Sequence, residues 1–122
     1  MIDVAFAVPG DLDLPTGGYA YARKILALLP DHGVMAHHVA LPDSYPYPTI
    51  EALARTKHIF AQLAPDTPIM IDGLAFGAMP PELVNTIEQP IIALVHHPLA
   101  YETGITQDAE RRFRAFETHA LA

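Results

Sequence analysis

Apolar residues along this chain fall into short dense runs, separated by longer stretches in which they recur every three or four positions. Residues Ile2 to Val8 are almost continuously apolar and stop at Pro9-Gly10, the pattern of a strand buried on both faces of a parallel sheet. A loop from Pro9 to Gly18 follows, with Thr16 placed to cap a helix in which Tyr21, Ile25, Leu28 and Leu29 recur at helical spacing up to Pro30. Met35 to Leu41 predicts a second strand, and Pro42, Pro46 and Pro48 interleaved with Asp43 and Ser44 predict a loop. Thr49 caps a helix expected to reach about Ala64, with Ile50, Leu53, Phe60 and Leu63 on its buried side. Pro65-Asp66-Thr67-Pro68 ends that helix, and Ile69 to Asp72 predicts a third strand that stops at Gly73. Pro80-Pro81-Glu82 opens a short helix, since proline suits a first turn. Pro90 introduces a fourth strand, Ile91 to Val95. In the last helix Ala109, Phe113, Phe116 and Ala120 form an apolar stripe, with Arg111, Arg112, Arg114 and Glu117 around it.

The alternation of strand and helix places the chain in the α/β class: a Rossmann-like open parallel sheet with helices on both faces, three layers in all. At 122 residues it is one domain, and a chain of this size buries roughly two-thirds of the surface its unfolded form exposes. The hydrophobic share of 51% against 17% charged residues excludes a disordered chain. A formal charge of −7 with only seven Lys and Arg residues argues against a phosphate-tracking, nucleic-acid-binding surface. No cysteine is present, so neither a disulfide framework nor a cysteine zinc site is possible, which suits a reducing compartment. No apolar run approaches the roughly 20 residues of a transmembrane segment, and Met1 to Phe6 lack the basic start of a signal peptide. A cytoplasmic location is therefore expected. The last helix runs into Ala120-Leu121-Ala122 with no Gly, Asn or Pro to stop it, so a chain cut short is one expectation and a frayed natural terminus the other.

Ligands of open parallel sheets bind outside the carboxyl ends of the strands. Three features fall there: the loop to Gly17-Gly18, Asp72-Gly73, and His96-His97-Pro98. Gly17 and Gly18 let backbone approach a ligand at a helix start whose N–H groups suit an anion, or simply serve a turn. The spacing is not that of a dinucleotide fingerprint. His96 and His97 follow a buried strand, where a histidine serves as a base or a hydrogen-bond donor near neutral pH, or as a structural residue. Adjacent residues of an extended chain point opposite ways, so at most one of them faces a cleft, which disfavours one metal shared by both. Asp72 orients a ligand hydroxyl or caps the next turn, and Glu102 faces the cleft or solvent. His37-His38 is read as structural. No metal site and no resident cofactor is expected.

Pro15-Thr16-Gly17-Gly18 before a helix, Asp72-Gly73 after a strand, Ile91 to Pro98, and the closing Glu117-Thr118-His119-Ala120-Leu121-Ala122 resemble the amino-terminal domain of the family 4 retaining glycosyltransferases, enzymes of two-domain GT-B architecture. The resemblance spans nearly the whole chain. It implies an acceptor-side half in which Gly17 and Gly18 lie against the donor diphosphate and His96 points into the cleft near the reacting sugar. Asp72, His97 and Glu102 are then the further substrate-binding candidates. The nucleotide-sugar donor is held chiefly by a second domain, which also carries the family's Glu-x7-Glu signature; Glu102 and Glu110 share that spacing by chance. The donor sugar and the acceptor are not specified. The isolated domain is expected to be inactive and to self-associate through its exposed interdomain face. A stand-alone nucleotide-binding domain and a non-catalytic interaction domain are the alternatives.

Overall fold

The computed structural model describes residues 2–10, 17–95 and 104–121. Four strands, β1 (Ile2–Pro9), β2 (Val34–Leu41), β3 (Ile69–Asp72) and β4 (Ile91–Leu94), form one sheet in the order β2-β1-β3-β4. Every pairing is parallel: Ile2 lies opposite Val34, Ala5 opposite Ile69, and Ile69 opposite Ile91. β1 is flanked on both sides, which is why it is apolar and buried from Val4 to Pro9.

Alternation along β1 splits the core in two. Phe6 and Val8 point to one face, where they meet Ala22, Ile25 and Leu26 of α1 (Gly17–Leu28) together with Met70 and Leu94. Ala5, Ala7, Ile69 and Ile71 point to the other. That face is covered by α2 (Ile50–Ala61), α3 (Gly73–Phe76), α4 (Pro81–Val84) and α5 (Gln107–Ala120), which contribute Phe60, Phe76, Leu83 and Phe113 to the core. The three-layer α/β/α fold follows. Among the described residues no helix is long and apolar enough to cross a membrane.

Caps fix the helix ends. The Thr49 hydroxyl accepts from the Ala52 N–H at 3.0 Å, and Thr106 accepts from Ala109 at 3.0 Å. Beyond the other end of α2, the buried Gln89 amide donates to the carbonyls of Phe60 at 3.0 Å and Leu63 at 3.1 Å, the Phe60 oxygen also accepting from the Leu63 N–H at 3.1 Å. Gln89→Ala is therefore expected to cost about 2 kcal/mol of unfolding free energy, read from the urea midpoint, because two hydrogen bonds that tie the end of α2 to the residues before β4 are lost.

Tyr45 and Thr56 form a buried polar pair beside this helix. Thr56 donates to the Ala52 carbonyl at 2.9 Å, and the Tyr45 hydroxyl lies 2.8 Å from Thr56. Burial pushes the Tyr45 phenol above its ordinary value, with the Thr56 hydrogen bond pulling back part of the rise. The unfolded chain thus gives up this proton first. The stabilisation is complete below a pH of about 10 and is lost as pH rises through the higher folded value. Denaturant titration across that alkaline range is expected to show a flatter decline for Tyr45→Phe.

Three sequence expectations about helix faces are corrected. The buried row of α2 is Ala52, Thr56 and Phe60, and Ile50 is 83% exposed. At 100° per residue, Ile50 stands about 120° from the centre of that row. Leu28 is 51% exposed for the same reason: it stands about 120° from Ala22. Glu117 is buried rather than part of the polar surround, because it continues the four-residue row of Ala109 and Phe113.

Candidate functional site

In a parallel sheet every carboxyl end lies on one edge, here Pro9, Leu41, Asp72 and Leu94. From β1 the chain passes to β2 on one side, while β3 flanks β1 on the other. This reversal opens a crevice outside the ends of β1 and β3. Helix α1 returns the chain from the end of β1 to the start of β2. Its last turn leads through a short 3-10 turn, Leu29–His32, into Val34, which lies opposite Ile2 at the amino edge. Its first residues, Gly17 and Gly18, therefore sit at the carboxyl edge. The first N–H groups of a helix have no partner inside it and carry its positive dipole end, so an anion in the crevice is favoured there.

Gly10 turns the chain away from β1 with a φ of 74°, a left-handed conformation that suits glycine, and its N–H donates to the Leu41 carbonyl at 2.9 Å. Asp72 ends β3 at the same edge, 8% exposed. Its carboxylate accepts from the Leu74 N–H at 2.8 Å and so caps α3. The capping alternative is thus the one the geometry displays.

Two features of this edge escape a reading of the sequence. A Cβ on Gly73 would meet the Leu94 carbonyl oxygen at 3.1 Å and the Val95 Cα at 3.3 Å, so a glycine lets α3 start against the end of β4. A Cβ on Gly77 would lie 2.8 Å from a carboxylate oxygen of Glu117, so the buried Glu117 side chain packs across that glycine and ties α5 to the residues after α3. The signals were present: a glycine directly after a strand-ending aspartate, and a glutamate in step with Ala109 and Phe113.

The structure thus brings Gly17, Gly18, Asp72 and the end of β4 to one edge. His96, His97 and Glu102 lie outside the described residues, as do Thr16 and the rest of the loop before α1. His37 and His38 lie on β2 and are exposed. His37 Nε2 is 3.8 Å from Asp3, and His38 Nε2 is 3.4 Å from the Val8 carbonyl. Among the described residues no group of three or more His, Asp or Glu side chains could hold a metal. No family model, curated protein or solved structure matches the chain.

Proposed function

We propose that this domain is the acceptor-side half of a GT-B glycosyltransferase, which transfers a sugar from a nucleotide-sugar donor to an acceptor when joined to a donor-binding domain. The observation that carries the proposal is the common edge. The glycine pair that opens α1, the aspartate that closes β3 and the strand leading to His96-His97-Pro98 end on one side of a single parallel sheet. In the transfer, the acceptor hydroxyl oxygen bonds to the anomeric carbon as the bond from that carbon to the diphosphate oxygen breaks, and the hydroxyl proton leaves with the nucleoside diphosphate. The N–H groups of Gly17 and Gly18 oppose the charge that develops on the diphosphate, and His96 holds the reacting sugar in the cleft. Two closing domains supply the proximity and exclusion of water that such a step needs. A reducing cytosol suits a chain without cysteine.

Calorimetry with UDP, GDP and NAD separates this function from a stand-alone dinucleotide-binding domain. NAD is expected to bind no more tightly than the nucleoside diphosphates, and tight NAD binding would sink the transferase assignment. Sugar transfer is expected to be undetectable with this chain alone, and turnover without a second domain would contradict a half-site.

Leu74, Ile92 and Val95 are exposed around β4, the last strand of the sheet among the described residues. Apolar surface of this kind favours association. Sedimentation at high concentration is expected to show self-association, weakened by Ile92→Lys; a clean monomer would count against that partner.

A further inference from the structure

The loop between β2 and α2, the segment joining α3 to α4, and α5 enclose a groove of about 340 Å³ walled by Tyr47, Leu53, Ala78, Pro80, Arg112 and Phe116. None of these residues belongs to the crevice described above. The volume is within the range of small-molecule sites, which pair apolar walls with a few placed polar groups. Here the placed group is Arg112.

The three arginines of α5 are used differently. Arg111 pairs with Asp108 at 2.6 Å and Arg114 with Glu110 at 2.8 Å, both within α5. Arg112 has no carboxylate partner among the described residues. Its guanidinium carbon lies 5.8 Å from the Tyr47 ring centroid and 5.3 Å from that of Phe113. The two rings meet at 5.6 Å, so the buried Phe113 steadies the half-exposed Tyr47 and together they hold the guanidinium at the groove wall. An arginine stacked on rings keeps its in-plane N–H donors for a planar or tetrahedral anion. A guanidinium held by rings rather than by a carboxylate keeps its charge and donors for an anion.

We propose that this groove binds a small organic anion, its carboxylate or phosphate on Arg112 and its apolar body against Tyr47, Leu53 and Phe116. The site stands independently of the transferase assignment.

The test is an NMR titration of the full chain with benzoate, phenyl phosphate, inorganic phosphate and benzyl alcohol, following the resonances of Tyr47, Leu53 and Phe116. At least one aromatic anion is expected to give saturable shifts with a Kd of about 1 mM or lower, and the tighter of the two distinguishes a carboxylate from a phosphate ligand. Inorganic phosphate, which lacks the body, and benzyl alcohol, which lacks the charge, are expected to bind about tenfold more weakly. Arg112→Gln, at an exposed position, should weaken the aromatic anion by about tenfold, and Tyr47→Ala supplies a second variant with the guanidinium kept. The proposal is overturned if neither aromatic anion saturates these resonances, if inorganic phosphate binds as tightly as phenyl phosphate, or if both variants bind like the native chain.

Discussion

Phe113→Ala is expected to lower the unfolding free energy by about 3–5 kcal/mol, the range for emptying a buried aromatic site. Phe113 is 1% exposed and belongs to the core cluster on the Ala5, Ala7, Ile69 and Ile71 side of the sheet. It is the largest apolar side chain that α5 buries, and Ala109 beside it cannot fill the space. The same ring contacts Tyr47 and Arg112, so the truncation also removes the support of the groove. Urea unfolding of the variant checks the magnitude. A loss below about 1 kcal/mol would mean that α5 is not anchored through this residue.

Gly77→Ala is the second substitution with a large expected effect, a destabilisation of about 1–3 kcal/mol, as overpacking of a close contact costs. The added carbon would stand 2.8 Å from Oε2, 2.9 Å from Cγ and 3.1 Å from Cδ of Glu117. Glu117 is 8% exposed, so its side chain cannot swing freely into water to make room. If the clash is with this side chain, shortening it relieves the strain. In a double-mutant cycle with Glu117→Ala, the cost of Gly77→Ala is expected to fall by about 1 kcal/mol or more. Additive costs would show that the strain lies in the backbone of the residues after α3 instead.

The sheet was legible because its strands carry an unambiguous demand. A strand with neighbours and layers on every side must be apolar along its buried length, and Val4 to Val8 and Ile69 to Ile71 meet that demand between proline and glycine stops. The long helices were legible in extent, with Thr49 capping α2 as its position foretold, but their faces were not fully so. Ile50 and Leu28 continue an apolar pattern beyond the surface that their helices bury. Glu117 is buried against expectation because close packing on Gly77, a residue remote in sequence, decides what covers it. Helix α3 has only four residues, too few for a period to show, and its one local sign was the capping aspartate Asp72. For the site, the common edge of Gly17, Gly18 and Asp72 followed from parallel topology, which alternation along the chain implies. The Arg112 groove did not follow, since it joins a proline-rich loop to a helix far along the chain, and no spacing connects them.

Amide chemical shifts of the labelled chain during titration with UDP and GDP test most directly whether the carboxyl edge of this sheet is the ligand-binding edge. The largest shifts are expected at Gly10, Gly17, Gly18, Gly73 and Val95, where the ends of β1, β3 and β4 meet the start of α1. Shifts gathered instead around Gly33, Thr67 and Gln89 at the amino edge, or none at any concentration, would contradict it.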